Sequence, residues 1–265
     1  LPRLQPQQHG RPGAAAGRAI RSKGMPMRVH TVLVMAGLLA GSVAGAQDAA
    51  QVEVSEEMVA AASALLGTFG SGPGATDTML GIDRAKSLSL PLDDPQRENW
   101  AFWPTARAGV PIELMTTQQR MHVHALLTSL LSSRGYLKVT SIMQLEQVLD
   151  MLEQGGLPRS VDHYVLVLFG RPSMDTPWAW RFEGHHVSLN VSVAPTGVSV
   201  TPSFFGSNPA EVRNGPLTGF RVLGTEEDLA RDLVTSFRAA QRGRGVVSED
   251  APSEIFTGNI RRERS

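Results

Sequence analysis

The chain has 265 residues, 42% of them hydrophobic and 19% charged, and its 25 basic and 25 acidic side chains cancel. This composition excludes collagen, a coiled-coil rod and a wholly disordered chain, and it offers no basic excess for nucleic acid. Cysteine is absent, so disulfides, thiolate metal sites and a cysteine nucleophile are excluded as well.

The charges are unevenly spread. Residues 1–46 hold six basic residues and no acidic one, which leaves 19 basic and 25 acidic residues in 47–265, a net charge of −6. Met25 and Met27 are the first candidate starts. A short basic region ending in Arg28 and His30, an apolar run from Thr31 to Val43 and the closing Ala44-Gly45-Ala46 follow. Together these read as a secretory signal peptide over 25–46, since the run is too short to span a bilayer. Residues 1–24 read as a disordered or non-native extension ahead of it. The expectation is an exported protein, periplasmic or extracellular, with a mature part over 47–265. An acidic mature part speaks against nucleic acid and, after signal cleavage, against a membrane as partner.

In the mature part, Ser55-Glu56-Glu57 opens a helical pattern with Met58, Ala61, Ala62, Leu65, Leu66 and Phe69 on one face. Residues 86–110 are irregular, with three prolines and the cluster Trp100, Phe102, Trp103. A second helix starts at Thr117, with Val123, Leu126, Leu127, Leu130 and Leu131 as its stripe. A third carries Val139, Ile142, Met143, Leu149 and Leu152, and the pair is expected to pack as an antiparallel hairpin. Tyr164 to Phe169 is short and apolar enough for a buried strand. A longer strand is expected from about Trp180 to Val193, returning as Val198 to Phe205 after the turn Ala194-Pro-Thr-Gly197. Thr225-Glu-Glu-Asp228 resembles a capping box for a last helix that buries Leu229, Leu233, Val234 and Phe237. The fold class read from this order is α+β: N-terminal helices on an antiparallel sheet with a long hairpin, then a helix, in one domain over 47–265.

The densest chemistry lies in Trp178-Ala-Trp-Arg-Phe-Glu-Gly-His-His-Val-Ser-Leu-Asn190. Alternation puts Val187, Leu189, Val191 and Val193 on the core side of a strand and His186, Ser188, Asn190 and Ser192 on the other. Arg181, Glu183 and His185 share a side at spacing two. A carboxylate and an imidazole so spaced can act as acid and base, or can hold a divalent metal ion, with Glu183 and His185 as the ligands. Glu183 and Arg181 can equally be an ion pair, and one histidine a core residue. Trp178 and Trp180, two apart, can present an aromatic face to a ligand or belong to the core. His122 and His124 on the second helix point apart and form no chelate. His163, beside Asp162, reads as part of a surface pair.

This stretch is similar to the signature of the uncharacterised domain-of-unknown-function family 3500. Pro202-Ser-Phe-Phe-Gly-Ser-Asn-Pro-Ala-Glu-Val-Arg213, Gly215-Pro-Leu-Thr-Gly-Phe-Arg-Val-Leu223, Glu226 to Ala230 and Arg120 to Glu146 add to the resemblance, which covers most of residues 55–247. It implies an exported or soluble protein and places Glu183, His185, His186 and Asn190 in the family signature. It brings no settled catalytic residue. It also implies that relatives continue with a further segment rich in His, Asp and aromatic residues, so that this chain holds part of a longer whole.

Two functions stay open. One is an exported enzyme with Glu183, His185 and His186 as catalytic groups, assisted by a metal ion in one form, and with Arg181, Asn190, Trp178 and Trp180 binding substrate. The other is a non-catalytic exported module that binds a small molecule or polymer on an aromatic platform of Trp178, Trp180 and Phe204 or Phe205.

Overall fold

The structure is a computed structural model, and it describes residues 52–69, 76–77, 82–153, 156, 159–250 and 258–259. The expected leader over 1–24 and signal segment over 25–46 lie outside the described residues.

The described chain opens with helix α1 (52–69). Its buried residues Met58, Ala62, Leu65 and Phe69 recur at three- and four-residue steps, as the apolar stripe requires. Ser55 lies inside the helix and is buried, where the sequence suggested a cap. Strands β1 (Thr76–Asp77) and β2 (Ile82–Asp83) form a small antiparallel pair. Helix α2 (Arg84–Leu88), capped by Asp83, leads into β3 (Ser89–Leu90). An irregular segment then reaches β4 (Val110–Pro111).

Helix α3 (Thr117–Leu130) starts in a complete capping box, Thr116 with Gln119. Helix α4 (Ser133–Glu153) follows after two residues. Both helices turn their apolar faces to the common core, and His124 of α3 meets Tyr136 of α4.

The sheet is built from β5 (Val165–Phe169), β6 (Trp178–Gly184), β7 (Val187–Ala194), β8 (Gly197–Ser199) and β9 (Ser203–Phe205), joined by β3 and β4. Five of its six pairings are antiparallel, whereas β3 pairs parallel with β5, so the α+β class holds with a mixed sheet. The expected long strand from Trp180 to Val193 is two strands. The chain reverses at His185-His186, and Gly184 pairs with Val187 to close the hairpin. The expected return strand is likewise split: β8 pairs with the end of β7 and β9 with its start.

One sheet face is packed by the helices. Leu166, Leu168, Trp178, Trp180, Phe182, Leu189, Val191 and Val193 meet Met58 and Leu65 of α1, Val123 and Leu127 of α3 and Ile142 of α4. The opposite face carries Val165, Val167, Phe169, Ala179, Arg181, Glu183, Ser188, Asn190 and Ser192. Segment 91–107 lies over it. Every residue of β5 and β6 is therefore buried, which explains why neither strand alternates cleanly in hydrophobicity.

Helix α5 (Gly224–Thr235) and the shorter α6 (Ala239–Gly245) close the described chain. The expected cap by Thr225 does not form, since the helix starts one residue earlier after Leu223. The expected buried face is also corrected: Leu229, Leu233 and Val234 are exposed, and α5 buries no residue. Amphipathic spacing predicts a stripe but not what covers it. Among the described residues no helix is long and apolar enough to cross a membrane.

Candidate functional site

Arg181 and Glu183 stand in adjacent rows of the loop-covered face, two apart on β6, as strand periodicity requires. Both are 1% exposed, and Arg181 Nε lies 3.0 Å from Glu183 Oε1 as a close ion contact without hydrogen-bond alignment. The other carboxylate oxygen accepts from the Ala101 backbone N–H at 2.9 Å and from the Ser188 hydroxyl at 3.3 Å. Burial pushes the Glu183 carboxyl up, against the pull of Arg181, the Ala101 N–H, Arg107 and Ser188. Burial likewise lowers Arg181, against Glu183. Arg181 Nη1 donates to the Gln96 carbonyl at 2.7 Å, and its guanidinium lies 5.5 Å from the Phe169 ring centroid. Its Nη2 is buried without a partner. Glu183 is thus held in a structural pair, with its oxygens turned into the protein.

A cleft of about 710 Å³ opens between segment 91–100 and this polar face. Arg181, Asn190 and Ser192 form its floor, and Arg97 and Trp100 stand on the loop side. Asp94 caps the turn Pro95–Arg97 by accepting from Gln96 N at 2.8 Å, which sets the Gln96 carbonyl over Arg181. Arg97 Nη2 donates to Ser192 Oγ at 2.9 Å, tying the loop to β7. Asn190 Nδ2 donates to the Pro202 carbonyl at 2.9 Å and to Ser188 Oγ at 3.1 Å.

The histidines belong to a different cluster. They form the two-residue turn between β6 and β7, so the strand alternation that placed Arg181, Glu183 and His185 on one side ends at Gly184. His185 Nδ1 lies 2.5 Å from Glu146 Oε1 of α4. Arg159 joins them, with Nη1 3.1 Å from His185 Nδ1 and 3.6 Å from Glu146 Oε2, while Nη2 donates to Glu153 at 2.8 Å. The Tyr164 hydroxyl donates to the His185 carbonyl at 2.5 Å. His186 sits at φ 64, a conformation that favours Gly or Asn. It is clamped from two sides: its N–H donates to the Phe102 carbonyl, and its own carbonyl accepts from Gly206 N–H, both at 2.8 Å. The two imidazole rings lie 3.9 Å apart.

Burial, and then His185, push the His186 imidazole down to about 4, against the pull of Glu146. A depressed histidine is kept neutral by the fold, so the unfolded chain binds the proton first. Its contribution to stability is full above about pH 6.5 and is lost as pH falls toward 4, up to about 3 kcal/mol in all. Thermal unfolding of the wild type is expected to weaken more between pH 7 and pH 4.5 than that of His186→Asn. Parallel pH profiles would overturn this.

The metal pair expected from the sequence is separated. Glu183 engages Arg181, and His185 engages Glu146. Among the described residues no group of three or more His, Asp or Glu side chains is placed to hold a metal ion. The aromatic platform is also corrected. Trp178 and Trp180 point to the helix-packed core and are 0% and 1% exposed, because β6 turns its even positions inward. Phe204 stacks on Phe102 at 3.8 Å, and Phe205 packs against the core. His124 meets the Tyr136 hydroxyl at 3.0 Å, and Asp162 and His163 pair separately, with Arg120 and Glu113.

A family model described as "Protein of unknown function (DUF3500)" matches residues 52–264, from the first residue of α1 through both polar clusters. The chain belongs to the DUF3500 family. No curated protein and no solved structure matches it. In this DUF3500 chain, sequence reasoning found Arg181, Glu183, Asn190 and both histidines but missed Arg107, Glu146 and Arg159. One signal for Glu146 was available: it falls on the buried stripe of α4 with Ile142, Met143 and Leu149, where an acidic residue needs a partner.

Proposed function

We propose that the protein is an exported binding protein that takes a small polar molecule into the cleft between segment 91–100 and the polar sheet face. The observation that carries this reading is the cleft itself, where the polar side chains Arg181, Asn190 and Ser192 stand together beside apolar Phe169 and Ala179. Export rests on the basic, apolar and Ala-Gly-Ala pattern of residues 25–46. The enzyme reading loses ground because Glu183 is turned inward and His185 is paired away from the cleft. Mutual fixing of Arg97 and Ser192 supports binding in a preformed site.

The test uses chain secreted to the cell exterior, which should begin at Gln47 by intact mass. Ligand-observed NMR against a panel of small sugars, polyols, amino acids and hydroxy acids is expected to give hits that vanish in Ser192→Trp, which fills the cleft. Hits that survive Ser192→Trp, or a panel without hits, would sink the reading.

A further inference from the structure

We infer that the cleft recognises a small monocarboxylate bearing hydroxyl groups, with Arg181 as the group that meets the carboxylate. This inference rests on the binding reading above and specifies its ligand.

The argument starts from the guanidinium. Arg181 presents three nitrogens. Nε faces Glu183 Oε1 at 3.0 Å and Nη1 reaches the Gln96 carbonyl at 2.7 Å. Nη2 has no acceptor, although the residue is 1% exposed and stands in the wall of the cleft. A buried N–H left unmade is unfavourable, and an anionic oxygen is the acceptor that a guanidinium binds best. Nothing on the neighbouring strands supplies one: the residues opposite Arg181 are Val167 on β5 and Asn190 on β7.

The cations that line the cleft are Arg181 and Arg97, and Glu183 is the carboxylate in contact with Arg181.

The rim sets the upper limit on ligand charge. Asp93, Asp94 and Glu98 line the same cleft on the loop side. Three carboxylates there weigh more heavily against a dianion such as phosphate than against a single carboxylate. Beside Arg181, Asn190 and Ser192 offer an amide and a hydroxyl to ligand hydroxyl groups, with Phe169 and Ala179 as apolar neighbours.

The experiment is a calorimetric titration of the full chain with gluconate, sorbitol and inorganic phosphate. Gluconate and sorbitol share a polyhydroxy chain and differ at the carboxylate. Gluconate is expected to bind about tenfold or more tightly than sorbitol, the size of one hydrogen bond to a charged group, and phosphate not to compete. Arg181→Lys, which keeps the charge but loses the fork, should reduce the preference for gluconate. Arg181→Gln can fail to fold because it leaves Glu183 unpaired, so the Arg181→Met, Glu183→Leu double variant is the second arm. It should fold and should bind gluconate and sorbitol alike. Equal binding of gluconate and sorbitol by the wild type would overturn the carboxylate inference while leaving the cleft reading standing. Preferential binding of phosphate would overturn it too, as would an unaltered gluconate preference in the double variant. Failure of all three probes overturns the inference, and the wider panel with Ser192→Trp then judges the cleft reading separately.

Discussion

Replacing Glu183 with alanine is expected to destabilise the protein by about 3–5 kcal/mol, the usual effect of removing one partner of a buried ion pair. The loss has two parts. Arg181, 1% exposed, is left with no carboxylate, and Arg107 loses an attractive neighbour. The Ala101 N–H and the Ser188 hydroxyl lose their acceptor as well, which loosens segment 91–107 over the sheet. Glu183→Gln should destabilise less, because an amide oxygen can still accept from Ala101 and Ser188. The Arg181→Met, Glu183→Leu double variant should recover most of the loss. Burial acts against the charged form of both partners, so the pair contributes less than its 3.0 Å contact suggests, and apolar neighbours at Val165 and Val167 can receive apolar replacements. Urea denaturation of the four proteins checks this. A Glu183→Ala variant within about 1 kcal/mol of wild type would show that the pair is solvated or dispensable, contrary to its burial.

Gly184→Ala should be the next largest effect, about 2–3 kcal/mol, from overpacking. A Cβ at Gly184 would lie 2.4 Å from Cδ1 of the Tyr164 ring. That ring has nowhere to go. Tyr164 is 1% exposed, stacks on Phe182 with centroids 5.6 Å apart, and its hydroxyl donates to the His185 carbonyl. Either the turn or the ring must shift, and both routes disturb the His185–Glu146 contact across to α4. Thermal unfolding measures the loss. The imidazole chemical shifts of His185 should change as well, while a variant with wild-type stability and unmoved His185 resonances would refute the close approach. The same logic applies more weakly at Gly206, where a Cβ would meet His186 Nδ1 at 2.7 Å.

These two residues show where sequence reading succeeds and where it stops. Arg181 and Glu183 sit two apart on a strand, and a two-residue period is a local property, so their shared face was legible. So was the inward face of β7, with Val187, Leu189, Val191 and Val193 against the helices. The turn at His185-His186 was not. Two-residue hairpin loops are recognised by Gly or Asn at positive φ, and here a histidine holds that conformation because Phe102 and Gly206 grip its backbone from distant parts of the chain. Missing the turn had a cascading effect. It merged two strands into one, put His185 beside Glu183 and produced a metal pair that the fold separates.

The helix at Leu229 teaches the complementary lesson. Its apolar spacing was read correctly as helical, but burial depends on a covering element, and α5 has none among the described residues. Trp178 and Trp180 went the other way: both a ligand platform and a core place were compatible with the spacing, and packing against α1, α3 and α4 selected the core.

The α+β class, the existence of the three long helices α1, α3 and α4, and the core-facing side of β7 follow from periodicity along the chain, which needs no partner to be expressed. Contacts that cross the chain do not. Glu146 lies 39 residues from His185, and Gln96 lies 85 residues from Arg181. Segment 91–107 has no period at all, yet it roofs the cleft and fixes the guanidinium. Side-chain period is set by each residue's own backbone, whereas the partner of a buried charge is set by which distant segment packs over it.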